Sequence, residues 1–175
     1  MDYHFVDNVS EQLLSATADA WRAQIDANPE NTNRAYYEAR LAHFVKGRES
    51  GVSALAGVVY DDEGFASALI NVTYAKNSHL KMLDVTVRPD LNVADQEPNI
   101  PALAWIAATA ITGCLNMTYR QFPCNELKVY ASWPLDKEFL TAVTTAMAGD
   151  ENFGSLFAVS SHGNWIVLTK KVAKV

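Results

Sequence analysis

Asp84 stands inside an apolar run, Leu80-Lys81-Met82-Leu83-Asp84-Val85-Thr86-Val87-Arg88-Pro89. A carboxylate enclosed by apolar neighbours holds its proton more tightly, which suits a general base. The alternative here is a carboxylate on the solvent face of a half-buried strand, with no chemistry to perform. His4, His43, His79 and His162 show no i, i+4 or His-x-His spacing, so no metal site is expected. Ser160 and Ser161 precede His162, but neighbours in a turn rarely reach each other as nucleophile and base. No Gly-x-Ser-x-Gly elbow exists either. Cys114 and Cys124 are too far apart for a Cys-x-x-Cys motif and have no His near them in sequence, which predicts reduced, structural thiols. Trp133, next to Pro134 at a strand end, is the tryptophan placed to line a cleft.

The elements that must position these residues follow from the apolar spacing. Apolar positions recur at helical intervals from Ser10 to about Asp26, and a second helix is predicted from Asn33 to Val45, ended by Gly47. Val52 to Tyr60 and Phe65 to Tyr74 flank the acidic turn Asp61-Asp62-Glu63-Gly64, and Lys76-Asn77-Ser78 leads into a third strand, His79 to Arg88. A meander of three antiparallel strands results. A long apolar helix follows from Ile100 to Leu115, with Pro101 where a helix begins. Its spacing predicts that Ile106, Ala107, Ala110, Ile111 and Leu115 are buried on one stripe. Then come a strand from Glu126 to Ser132, a helix from Leu135 to Ala148, and a hairpin of Ser155 to Ser160 and Trp165 to Lys171. An initial strand is placed at Tyr3 to Val6.

The chain has 175 residues, 49% of them apolar, enough for one buried core and a single domain over 1–175. A net charge of -6 argues against a nucleic-acid partner, which needs clustered Lys and Arg. The N-terminus has no basic stretch ahead of an apolar core, and no run approaches the length of a membrane span, so a soluble intracellular protein is expected. Strand, loop and helix between His79 and Leu115 make a junction of the kind that holds anions at a helix N-terminus. The loop Asp90-Leu91-Asn92-Val93-Ala94-Asp95-Gln96-Glu97-Pro98-Asn99 nevertheless contains no Gly, Lys or Arg.

This order of elements resembles the GNAT superfamily of acetyl-coenzyme A-dependent N-acetyltransferases, from about Ser10 to Lys171. The run Asp84-Val85-Thr86-Val87-Arg88-Pro89 is similar to the family's fourth strand, which ends in Val-x-Pro, and Gly163-Asn164-Trp165 with Val167-Leu168 looks like its closing hairpin. The resemblance implies an α+β fold, a mixed, mostly antiparallel sheet flanked by helices. It implies acetyl transfer from acetyl-coenzyme A to an amine by direct attack in a ternary complex. Asp84 or Glu126 then serves as base, and Tyr130, on a strand that splays to admit the pantetheine arm, either replaces the tyrosine many members carry in the last helix or is a packed strand residue with its hydroxyl in water. The coenzyme is gripped by the backbone of Val85 to Val87 and by the helix start near Asn99, Ala102 and Leu103. Three family features are missing: the Arg/Gln-x-x-Gly-x-Gly/Ala loop, a tyrosine between Leu135 and Ala148, and the Asn after the fifth strand, where Trp133 and Pro134 stand. Asp95 and Glu97 add charge repulsion toward a diphosphate. The alternative is a catalytically inactive GNAT-like structural or interaction protein that binds a protein partner, similar to the acetyltransferase-like proteins encoded among virion genes of short-tailed bacteriophages.

Overall fold

A computed structural model describes residues 2–29, 32–49, 55–92, 97–132 and 135–171. Among them, seven strands form one sheet in the order β1-β2-β3-β4-β5-β7-β6. The strands are β1 (His4–Val6), β2 (Leu55–Tyr60), β3 (Ala66–Ala75), β4 (His79–Val87), β5 (Glu126–Tyr130), β6 (Phe157–His162) and β7 (Trp165–Lys170). Every neighbouring pair is antiparallel except β4 with β5, which is parallel. The predicted meander is therefore present as β2-β3-β4. Its turns are made by residues that tolerate a left-handed backbone, Gly64 at φ 81° and Asn77 at φ 60°.

Two helical layers cover the sheet. On one face lie α1 (Glu11–Ala27) and α2 (Arg34–Glu49), whose Leu14, Trp21, Ile25, Tyr37 and Leu41 pack on Val58, Tyr60 and Leu69. Ser10 caps α1 by accepting from the Leu13 N–H at 3.1 Å, and the Trp21 indole donates to the Ala66 carbonyl at 2.9 Å, pinning α1 to the sheet. On the other face lie α3 (Ile100–Arg120) and α4 (Lys137–Gly149). The predicted stripe Ile106, Ala107, Ala110, Ile111 and Leu115 is buried here, against Ile70, Val72, Met82, Val85 and Val87. By length and composition α3 could cross a membrane, yet 56% of its most apolar window is buried inside the protein, as befits a core helix.

Small residues let one aromatic ring lock the layers together. A Cβ on Gly57 of β2 would stand 2.3 Å from the Phe5 ring, and one on Gly113 of α3 would stand 2.2 Å from it. Phe5 thus occupies a slot that both glycines leave open.

Several element boundaries differ from expectation; α4 begins at Lys137 rather than Leu135, and β6 runs Phe157–His162 rather than Ser155 to Ser160. α2 continues through Gly47 to Glu49, because one glycine costs only about 1 kcal/mol within a helix. α3 continues to Arg120, since packing on the sheet outweighs the weak propensities of its last turn. β5 stops at Tyr130. A short helix, α5 (Glu151–Leu156), precedes β6, started by the Asp150 carboxylate accepting from the Asn152 and Phe153 N–H groups. Cys114 and Cys124 are both buried and free.

Candidate functional site

β4 and β5 are paired only at one end. His79 to Met82 face Glu126 to Val129, and beyond Met82 the pairing stops, so the strands part toward their C-terminal ends. The register of β4 against β3 shifts at the same place. Met82 pairs with Val72 and Asp84 with Asn71, leaving Leu83 as an extra residue, a β-bulge. The bulge inverts which residues face which layer. Leu80 and Met82 before it, and Val85 and Val87 after it, all enter the core beneath α3. Asp84 and Thr86 consequently turn toward α2. Without the extra residue, alternation would drive Asp84 into the apolar core.

Asp84 is 6% exposed and meets the polar face of α2. Arg40 Nη1 lies 2.5 Å from Asp84 Oδ2, and the Arg40 guanidinium sits over the Tyr36 ring, 5.2 Å from its centre. One helical turn onward, His43 Nε2 is 3.0 Å from the side-chain nitrogen of Asn71, the residue paired with Asp84 across the strands. Burial raises the Asp84 pKa above the ordinary carboxylate value. The Arg40 charge, the Val85 N–H, His43 and the Ser132 hydroxyl act in the opposite sense without cancelling it. Oδ1 is buried without a hydrogen bond of full geometry among the described residues. Burial, followed by the Asp84 charge, also raises the Tyr36 pKa. The result is a carboxylate with enhanced proton affinity beside a strand gap.

The other sequence-derived residues divide between the two ends of the gap. Glu126 is opposite His79, at the closed end, and its carboxylate lies 3.6 Å from Lys128. Five residues of strand, roughly 16 Å at ~3.3 Å each, separate that level from Asp84. Tyr130 is the last residue of β5, one place beyond the final pair, exposed at the mouth of the gap, with its ring 4.9 Å from Trp165. The Val85 and Val87 side chains are core, but their backbones face the gap. The Arg88 N–H bonds the carbonyl of Ser67 in β3, so by alternation the amides of Val87 and Val85 point away from β3.

The helix start is occupied by its own chain. Asn99 caps α3, its Oδ1 accepting from the Ala102 N–H at 3.1 Å, while the Leu103 N–H donates to the Asn99 carbonyl at 3.0 Å. The Ile100 N–H bonds Pro98 at 2.8 Å, and Pro101 has no N–H. No N–H from 100 to 103 is left for an anion. Arg88, at the end of β4, is held by Asp61 at 2.6 Å and Asp90 at 2.8 Å. Glu97 is exposed ahead of the helix; Asp95, Trp133 and Pro134 lie outside the described residues. A coenzyme's acyl arm therefore fits the open β4 edge. Its diphosphate does not fit the start of α3 as the described residues present it.

Arg40 and Asn71 were not among the residues that the sequence pointed to, and His43 stood out only as a histidine without metal-ligand spacing. Tyr36, Arg40 and His43 do share one helical face, at i, i+4 and i+7, and the switch from Leu80/Met82 to Val85/Val87 marks the bulge. Those two signals mark the two halves of the cluster, and the packing of α2 on the sheet brings them together.

No family model matches this chain, and no curated protein matches it. Solved structures do. The N-acetyltransferase PseH of Campylobacter jejuni is 10% identical over 97% of this chain and 99% of its own, with a TM-score of 0.52. A GNAT-family acetyltransferase from Bacillus cereus is 13% identical over 98% and 99%, with a TM-score of 0.49. The spermidine N-acetyltransferase SpeG of Vibrio cholerae, in a mutant form, is 11% identical over 96% and 90%, with a TM-score of 0.45.

Proposed function

The chain has the GNAT fold, and on that premise we propose that it is an acyltransferase that moves an acyl group from a pantetheine thioester to an amine, with Asp84 as the base. The observation that carries this reading is the placement of Asp84: buried, at the bulge where β4 leaves β5, with a raised proton affinity. An ammonium has no lone pair, so the acceptor must lose a proton before it can attack. Asp84 removes that proton, and once the freed amine has added to the thioester carbonyl, the nitrogen gives up its second proton to solvent as the C–S bond breaks. Arg40 and the Val85 N–H keep the carboxylate oriented, and the Val87 amide, facing the gap, bonds an amide group of the donor arm. Acetyl-coenzyme A is the donor that would supply the activated thioester. Tyr130, across the mouth of the gap, is placed to protonate the departing thiolate. Glu126, at the closed end, takes no part.

The donor's nucleotide end is weakly held in this proposal. A diphosphate gains an N–H from α3 only by displacing the Asn99 side chain from Ala102, and it meets Glu97 on approach. Calorimetric titration with acetyl-coenzyme A, alongside a free-thiol assay with an amine acceptor, tests the reading. Weak binding with Asp84-dependent thiol release is expected; amine-independent release, or release unchanged in Asp84→Asn, overturns it. The occupied start of α3 favours a second reading, an inactive GNAT-like interaction protein such as a virion-associated one. Absence of coenzyme binding in both the natural chain and Asn99→Gly would select it.

A further inference from the structure

We infer that the acceptor carries a carboxylate beside its amine, and that Arg40 is the residue that receives it. The inference rests on the acyl-transfer reading above and adds the class of acceptor. Asp84 and Arg40 are the opposed full charges of the described cluster, and they already neutralise each other at 2.5 Å. A simple ammonium entering there meets a cation it cannot satisfy. Glu126, the other candidate carboxylate, is at the far end of β4 and shares its charge with Lys128. An acceptor with a carboxylate next to its amine solves this, because its two charges match Arg40 and Asp84 in alternation.

The form of Arg40 suits that task. Its side chain is 36% exposed, so the guanidinium spans from buried Asp84 toward solvent, and the Tyr36 ring beneath it fixes its plane. A guanidinium has N–H donors on more than one edge; Nη1 serves Asp84, and a planar fork matches a second carboxylate in two parallel hydrogen bonds. Recognition also changes the base. With a second carboxylate on its other edge, Arg40 shares its charge between two anions, so it lowers the proton affinity of Asp84 less and that affinity rises. The acceptor's own anion thereby makes Asp84 a stronger base when the amine is in place, and an amine without an anion leaves Asp84 paired.

The test compares the twenty standard amino acids with their α-carboxamides, by calorimetric binding and by thiol release from acetyl-coenzyme A. At least one acid should bind the natural chain about tenfold or more tighter than its amide, the range of one charge-assisted bidentate pair. Arg40→Lys should lose most of that preference because a point charge replaces the fork. Arg40→Ala risks leaving Asp84 as a lone buried charge, so the Arg40→Ala, Asp84→Asn double variant is measured with it, each checked by thermal melting. That double variant should show no preference. Equal binding of acid and amide, a preference that survives in the double variant, or no binding by any acid overturns the inference. An acid preference without thiol release removes the acyl-transfer reading and keeps the anionic ligand; equal thiol release from acids and amides does the reverse.

Discussion

Two aspartates are buried in this sheet, and they have opposite surroundings. Asp61, at the β2-β3 turn, is 1% exposed and fully engaged. Its Oδ1 accepts from the Phe65 N–H at 2.9 Å and the Glu63 N–H at 3.2 Å, and its Oδ2 takes Arg88 at 2.6 Å. Burial alone would raise its pKa, but the Phe65 N–H, then Arg88 and the Glu63 N–H, outweigh that and hold it below the ordinary value. Asp84 has one strong partner, and burial prevails. The same residue type is thus a closed structural joint in one place and a reserve of proton affinity in the other. The difference is how many donors the backbone supplies: a tight turn aims several N–H groups inward, whereas a strand bulge beside an open edge does not.

Removing Asp61 should break the comparison most severely. Asp61→Ala leaves the inward Phe65 and Glu63 N–H groups unmet and takes one of the two carboxylates from Arg88, which keeps Asp90, a loss of about 2–4 kcal/mol in denaturant unfolding. At Asp84 the expected damage is to chemistry. Asp84→Asn should reduce thiol release about a hundredfold, while chemical unfolding changes by less than about 1 kcal/mol, since Arg40 can rehydrate. Titration sharpens the contrast by sign. Asp61, with a depressed folded pKa, contributes stability above the ordinary value of 3.8 and loses it as pH falls through its folded value. Asp84, with a raised folded pKa, contributes below 3.8 and loses that contribution as pH rises through its folded value. Relative to the natural chain, Asp61→Asn should therefore recover stability on acidification, and Asp84→Asn should gain as pH climbs from below 4. Matching slopes for the two variants would contradict the assignment. The smallest effect belongs to the helix cap. Asn99→Gly should cost only a few tenths of a kcal/mol, yet it frees the Ala102 N–H and should tighten acetyl-coenzyme A binding in calorimetry.

The contrast between the two aspartates was only half legible beforehand. The Asp61 turn announces itself, because an acidic tip ending in Gly64 has few alternatives and its hydrogen bonds are local. The order of strands and helices was legible for the same reason, each element carrying its own periodicity and stop signal. Asp84 was visible as an anomaly, but its environment depends on Arg40 and His43, brought from more than forty positions away by the packing of α2 on the sheet. No local pattern encodes that pairing. The bulge lay between the two cases. A strict reading of β4, apolar at 80 and 82 and then at 85 and 87, requires an extra residue, whereas reading the run as one continuous buried strand hides it. The closed start of α3 escaped because Asn99 and Pro101 look like helix-start signals; that the cap consumes the very N–H groups an anion needs is a matter of coordinates.

The Phe5 slot has a consequence in time. Its walls come from Gly57 and Gly113, and the nearby Gln121 side chain donates to Asp7 across 114 positions of sequence. A ribosome makes β1 early and the second wall of its slot much later. Until Gly113 has been made, the Phe5 ring has only one wall of its slot, and contacts of such long range form late in any case. β1 is therefore made among the earliest strands and seated among the last, and until α3 docks, β2 remains an open edge that another chain can join.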